Sequence, residues 1–330
     1  MNRLFSSRIR ILLASAVVLA SAGQLDNAIA QTYPSQPIKL VLGFPPGGAS
    51  DLSARRLAEQ LGRQLGQPVV VDNRPGASGN VGAAYVAKSE PDGYTLFYGT
   101  NTTHAMNVSL YAKLGFDPEK DFEAIGMQGK VWNVLSSHPS FDAVTLPALV
   151  AKAKASPGVI NVASPGNATS PHLALELFKS MAGVNLTHVP YKGSAAALND
   201  VVGGQVPVIF DNIPASLPFI KAGKLKPIAV SSPQRLAILP DTPTFDEMGF
   251  KGYEISGWGA LWVPARTPRP IIERLNRELN LALKDAKVLE VMKASSIEPQ
   301  GGTPEQATEH ARKETVKWRE VIRSAGLKLD

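Results

Sequence analysis

The sequence predicts an α/β protein of two lobes, each a mostly parallel sheet flanked by helices, with a ligand cleft between them. Three observations carry this. Short apolar runs alternate with helical stripes along most of the chain. The alternation falls into two series, one ending near residue 130 and one beginning after it. Both series place polar, Gly-rich loops after their strands, which is where open α/β sheets take ligands.

The first series opens with an apolar run over residues 38–42, a buried strand. Phe44-Pro45-Pro46-Gly47-Gly48-Ala49-Ser50-Asp51 follows, then a helical stripe of Leu52, Leu57, Leu61 and Leu65. A strand, a Gly-rich turn and a helix in that order leave free backbone N–H groups at a helix N-terminus, a geometry that holds an anion without a charged side chain. A tight turn with no ligand role has the same signature. Residues 69–71 read as a second strand, Arg74-Pro75-Gly76-Ala77-Ser78-Gly79-Asn80 as a second Gly-rich loop, and 81–88 as a helix. Residues 94–98 form a third strand ending in the polar cluster 100–104. Short strands between helices imply parallel pairing and right-handed crossovers.

In the second series Thr145 caps a helix running to about Lys154. Strands follow at 160–163, 186–189, 206–210 and 226–230. Between them lie Ser164-Pro165-Gly166-Asn167-Ala168-Thr169, a helix with Ser170 at its N-cap and Pro171 at N1, and Pro190-Tyr191-Lys192-Gly193-Ser194 before a helix from Ala195. Asp211-Asn212 closes the third of these strands. Toward the C-terminus, Thr267-Pro268 opens one helix. Thr303-Pro304-Glu305-Gln306 is a capping box opening another, with Ala307, Ala311, Thr315, Trp318 and Ile322 on one face.

The N-terminus reads as an export signal. Arg3, Arg8 and Arg10 precede an apolar segment over 11–22 that is short for a membrane span, and Ala28-Ile29-Ala30 fits the small-x-small cleavage rule. With no Cys, a lipid-anchored form is excluded. Removing residues 1–30 takes three of 34 basic and one of 28 acidic residues, leaving 31 against 27, a net of +4. That mild charge suits a small anion, and no basic run interleaved with aromatics points to nucleic acid.

Enzyme motifs do not emerge. Gly76-Ala77-Ser78-Gly79-Asn80 has its second Gly one place early for a nucleophile elbow. No dinucleotide or P-loop glycine pattern occurs. The five His residues lack metal-ligand spacing. No catalytic residue, metal ligand or cofactor is therefore expected.

The chain resembles the Bug family, the solute-binding proteins of tripartite tricarboxylate transporters. The resemblance rests on Phe44-Pro45-Pro46-Gly47-Gly48 with Asp51, Asn73-Arg74-Pro75-Gly76, Pro91-Asp92-Gly93-Tyr94-Thr95-Leu96 and His188-Val189-Pro190-Tyr191-Lys192-Gly193. Gly203-Gly204-Gln205-Val206, Phe210-Asp211 and Leu239-Pro240-Asp241-Thr242-Pro243-Thr244 extend it in order along the chain. It implies a two-lobe periplasmic binding protein fold crossed twice, with lobe 1 at 31–130 and 258–330 and lobe 2 at 131–257. It implies a monomer that captures an organic carboxylate through loop backbone groups and delivers it to membrane permease subunits. A sensor presenting its ligand to a membrane histidine kinase is the alternative, and a hydrolase a more distant one.

The ligand-binding residues expected are Phe44, Gly47, Gly48, Ala49 and Asp51; Ser78, Gly79, Asn80 and Thr100; Ser164, Asn167, Ala168, Thr169, Tyr191 and Asp211. Each has a plainer alternative. Asp51 complements a helix N-terminus equally well, and Asp211 could order the turn after its strand. Trp132 departs from the family pattern. It is expected either to line the cleft or to pack between the lobes. If Phe44, Trp132 and Tyr191 surround the ligand, an aromatic or short aliphatic carboxylate should be preferred over citrate, which brings three charges to a site short of cations.

The mature protein should begin at or near Gln31 in the periplasm. N-terminal sequencing of exported protein checks this, and an intact Met1 would contradict it.

Overall fold

In a computed structural model of the chain, residues 33–324 and 327–328 are described. The expected leader and cleavage site lie outside them. The first series forms as read. Strand β1 (Ile38–Leu42) is buried along nearly its whole length. Helix α1 (Ala49–Leu65) packs Leu57, Leu61 and Leu65 inward but leaves Leu52 partly exposed. Gly66, in the left-handed region, ends α1 by returning its N–H to the Gly62 carbonyl. Strand β2 (Val69–Asn73) pairs parallel with β1 on one side, and β3 (Thr95–Thr100) on the other. A single 3₁₀ turn, Ala77–Gly79, leads into α2 (Asn80–Ala87). After β3 a π-helical turn, Thr102–Met106, runs into the short α3 (Asn107–Leu110).

Strand β4 (Phe122–Ser137) was not anticipated from sequence. Of its 16 residues nearly all are buried, so it shows no polar alternation, and Gly126 and Gly129 interrupt its β-branched character. It leaves the first sheet and enters the second. There the elements are α4 (Leu146–Ala155), β5 (Asn161–Ser164), α5 (Ser170–Ala182), β6 (Thr187–Pro190), α6 (Ser194–Val202), β7 (Val208–Asn212), α7 (Ile213–Lys221) and β8 (Lys226–Val230). The Thr145 hydroxyl caps α4 as expected, accepting from the Ala148 N–H at 3.4 Å. The cap of α5 falls one residue early. Thr169, in extended conformation, is the N-cap, so Ser170 opens the helix and Pro171 sits second.

The return crossing is β9 (Ser256–Pro264), followed by α8 (Arg269–Ala282), α9 (Ala286–Ala294), β10 (Ile297–Gly301) and α10 (Pro304–Ser324). β9 inserts antiparallel between β3 and the first part of β4, placing Phe122 opposite Pro264 and Trp132 opposite Ser256. The last five residues of β4 pair antiparallel with β7, Asn133 opposite Asn212 and Ser137 opposite Val208, and also with β8. β7, β5 and β6 are parallel to one another. The strand order is β2-β1-β3-β9-β4-β7-β5-β6, with β8 and β10 also on β4. In the first sheet only β9 and β10 run against the rest, and in the second only β4 does, so both sheets are mostly parallel in direction.

Gly259 shows why β9 needs its glycines. A Cβ there would collide with the Tyr98 ring on β3, whose hydroxyl donates to Gln128 Oε1 on β4 at 2.9 Å. The ring thus spans β9 and ties its two neighbours together.

The capping box of α10 forms in both directions. The Thr303 N–H donates to Gln306 Oε1 at 2.9 Å, and the Gln306 N–H to Thr303 Oγ1 at 3.3 Å. The expected face, Ala307, Ala311, Thr315, Trp318 and Ile322, is buried. Thr315 Oγ1 donates to the His104 carbonyl at 3.2 Å, fastening α10 to the π turn beside the cleft. Trp318 is 1% exposed and donates to Glu314 at 2.8 Å. Trp318→Ala should lower unfolding free energy by about 3–5 kcal/mol, the usual cost of emptying a packed aromatic site. Chemical denaturation checks this, and a loss under about 1 kcal/mol would contradict the packing.

Candidate functional site: a cleft of helix N-termini

Each sheet contributes loops to one cleft. From the first sheet come the β1–α1 turn, the 3₁₀ turn before α2 and the end of β3. From the second come the β5–α5 loop, the β6–α6 loop and the β7–α7 junction. The two sides touch at the rim. Ser78 Oγ donates to the Asn167 carbonyl at 2.9 Å, and a Cβ on Gly193 would lie 2.6 Å from Pro45 Cγ. Gly193 has a φ of +105°, so no other residue would give this approach at low strain. Among the described residues five non-glycine residues have positive φ, and three of them, Ala77, Ser78 and Ala168, sit on the facing loops.

Behind the rim is an inner chamber of about 60 Å³, opening into an outer cavity of about 720 Å³. Phe44, Pro45, Pro165, Thr169 and Gly193 line both. Four helices begin at the chamber: α1 at Gly48, α5 at Thr169, α6 at Gly193 and α7 at Asn212. None has a side-chain cap bond to its first-turn N–H groups. Those groups have no intrahelical partner and carry the positive end of the helix dipole. Among the described residues no Lys or Arg lines the chamber, and Lys192 lines only the outer cavity.

Ten of the sixteen expected site residues line a cavity. Phe44, Gly48, Ala49, Asp51, Thr100 and Thr169 line the chamber, and Ser78, Gly79, Asn167 and Tyr191 line the outer cavity. The Asp51 carboxylate is occupied by its own neighbours. It accepts from the Gly47 N–H at 3.0 Å, Asn73 Nδ2 at 2.9 Å and Arg55 Nε at 3.0 Å. Burial would raise its pKa, but these bonds, led by Arg55, hold it below the usual carboxylate range. Asp51 therefore braces the Gly47 turn. The Tyr191 hydroxyl donates to Asp200 at 2.7 Å, turned toward the helix α6 that follows its loop.

Gly47, Asn80, Trp132, Ser164, Ala168 and Asp211 line neither cavity. Gly47 spends its N–H on Asp51, and Asn80 Oδ1 accepts from Asn107 at 2.6 Å. Trp132 is packed with Val134, Ile213, Leu217, Val230 and Leu239, and its Nε1 donates to Glu298 at 2.5 Å. Of its two expected placements the structure has the packing one, because β4 turns that face toward α7. Asp211 is fully buried, accepting from Ser194 Oγ and the Asn212 N–H at 2.8 Å each and Ser216 Oγ at 3.1 Å. Burial pushes its pKa up to about 7 against these bonds. It orders the starts of α6 and α7.

Ser164 supports its loop from beneath. Its Oγ accepts from the Gly166 N–H at 3.2 Å and lies 2.6 Å from His188 Nε2. The His188 ring stacks on His172 at 4.0 Å, and the Ala168 N–H donates to His172 Nδ1 at 3.2 Å. Ala168 is buried here with φ 59°.

Residues not anticipated include Ser170, Ser194 and Asn212, which open the second-sheet helices, and Tyr98, Val131, Gly257, Trp258 and Gly259. The first three carried a signal, since they are polar residues at strand-to-helix junctions. Those on β9 carried none, because that strand has no sequence partner nearby.

A family model described as the tripartite tricarboxylate transporter family receptor, TctC, matches residues 53–327. The chain belongs to this family. Protein BugT of Bordetella pertussis is 37% identical over 321 residues, covering 97% of this chain and 98% of that one. An R. palustris protein solved with adipate superposes with a TM-score of 0.87 at 37% identity, covering 90% of this chain and 99% of its own. The periplasmic binding protein BugD superposes at 0.86 with 34% identity, covering 90% and 99%. MatC from Rhodopseudomonas palustris, with bound malate, superposes at 0.83 with 29% identity, covering 88% and 100%. The two-lobe fold is thus that of periplasmic solute-binding proteins, and the family and its solved neighbours are binding proteins rather than enzymes. Among the described residues no helix is long and apolar enough to cross a membrane.

The buried imidazoles set a pH dependence. Burial lowers the His104 and His172 pKa to about 3 and that of His188 to about 4, with His188 and Lys179 adding to the effect on His172 and Lys179 to that on His188. The unfolded chain protonates at about 6.5, so below that pH it binds more protons than the folded one. The imidazoles' contribution to stability is complete above pH 6.5 and falls as pH drops toward 4, by about 1.4 kcal/mol per pH unit for each, while buried Asp211, raised to about 7, adds a slope of the opposite sign in the same range. His172→Gln should flatten this slope in denaturation series between pH 6.5 and 4.5. An unchanged slope would show that His172 does not stay neutral in the fold.

Proposed function

We propose that this protein is a periplasmic receptor that closes on a small organic carboxylate and delivers it to the membrane subunits of a tripartite tricarboxylate transporter. The observation that carries the proposal is the set of four helix N-termini, free of side-chain caps, opening on one chamber with no lining cation. Oriented N–H groups and helix dipoles suit one carboxylate well. They neutralise three clustered charges poorly, so citrate should be a weak ligand. The lobe division proposed is 31–130 with 258–330 for the first lobe and 131–257 for the second. It is supported by β4 running from the first sheet into the second and by β9 bringing the chain back into the first. Binding between lobes that can part and close is the familiar motion of such receptors.

The size and lining of the chamber favour a short aliphatic ligand. Phe44, Tyr98 and Trp258 are the aromatic walls of the chamber, since Trp132 packs elsewhere and the Tyr191 hydroxyl is held by Asp200. Adipate and malate in the related proteins are of this class. Delivery to a permease is supported by the family, and periplasmic release of a monomer by the N-terminal signal and family kinship.

Gly48→Val tests the anion site. Gly48 has φ −85°, which valine tolerates, and a Cβ there would meet only Ser194 Oγ at 3.7 Å. The longer side chain should fill the space before the α1 N–H groups. Affinity for the best carboxylate of a panel should fall about tenfold or more, the loss of about 1.5–3 kcal/mol per charge-assisted hydrogen bond. Calorimetry showing equal affinity in a folded variant would overturn the assignment.

A further inference from the structure

The hydrogen-bond chain beneath the chamber has a direction, set by one backbone carbonyl. Asn133 Nδ2 donates to the Ile255 carbonyl at 3.1 Å. A carbonyl only accepts, so the Asn133 amide has one orientation and its Oδ1 faces the other way. That oxygen accepts from Asn212 Nδ2 at 2.6 Å and from Ser170 Oγ at 3.2 Å. Asn212 Nδ2 also donates to Ser170 Oγ at 3.2 Å. Both Asn212 amide hydrogens and the Ser170 hydroxyl hydrogen are therefore spent on the scaffold. Ser194, the third polar side chain on this wall, spends its hydrogen on Asp211 at 2.8 Å.

What remains toward the chamber is acceptor capacity. Asn212, Ser170 and Ser194 all line it, and Asn212 keeps an unused Oδ1 while being only partly buried. Asn133 is wholly buried and lines no cavity, so it acts through Asn212 and Ser170 as a positioning residue. The wall thus alternates backbone donors, at the starts of α5 and α6, with side-chain acceptors.

We infer that the chamber selects a carboxylate that also carries a hydroxyl, the carboxylate taken by helix N-termini and the hydroxyl donated to Asn212. This rests on the carboxylate reading above and narrows it. A ligand lacking the hydroxyl leaves a desolvated acceptor unpaired, which a site built this way discriminates against.

Matched pairs differing by one hydroxyl test it by calorimetry on the intact mature protein: malate against succinate, and lactate against propionate. In whichever pair binds, the hydroxylated member should bind about tenfold tighter or more. Asn212→Leu should erase that ratio by weakening the hydroxylated member while leaving the other within about threefold. Asn133→Leu should also shrink the ratio, a readout that loss of stability alone would not move. If these variants fail to fold, the wild-type ratio decides. Carboxylates that bind with equal or better affinity without the hydroxyl would overturn this inference and leave the carboxylate reading standing. Failure of every carboxylate in a wider panel to bind would overturn both.

Discussion

The cleft depends on one strand that belongs to two sheets. β4 pairs with β9 in the first sheet and with β7 and β8 in the second, so the distance between the two sets of loops is fixed by its backbone. Asn133 stands where it changes sheets. One amide there ties the return crossing at Ile255 to the starts of α5 and α7. Main-chain ladders make the crossing stiff locally. Carried by the single strand β4, it is the place where lobes of this architecture can rock.

The second constraint is the treatment of charge. A cleft that must release its ligand gains little from a buried Arg, whose desolvation and pairing would tighten binding and slow exit. Uncapped helix ends supply a softer positive potential, and their donors are already oriented by the helices. The acidic groups nearby are neutralised internally. Asp51 is bonded to Arg55 and Asn73, and Asp211 is buried under hydroxyls and an amide. Neither leaves a bare charge facing an anion.

The rim explains the glycines and left-handed residues of the motifs. Gly193 lets Pro45 approach, and Ser78 reaches Asn167 from a left-handed turn. These are contacts across lobes, made from backbone conformations that glycine adopts most easily. The His172–His188 stack behind the Ser164 loop holds the second-lobe side of the rim in shape from below.

Local chemistry was legible in the sequence. The two βα series, the Gly-rich strand-to-helix turns, the Thr145 cap, the Thr303 capping box and the buried face of α10 each follow from residues within a turn or two of one another. Of the sixteen site residues expected from the motifs, ten line the cleft cavities and six do not. The rest was decided by tertiary structure. β4 and β9 are buried on both faces and broken by glycines, so neither carries a period that marks a strand. Whether Trp132 faces ligand or core depends on which side of β4 meets α7. The orientation of the Asn212 amide is set by the Ile255 carbonyl, just before the return strand β9, reached through Asn133 over a separation of 122 residues. Hydrogen-bond direction and lobe contact are properties of groups brought together from distant segments, and no local pattern encodes them.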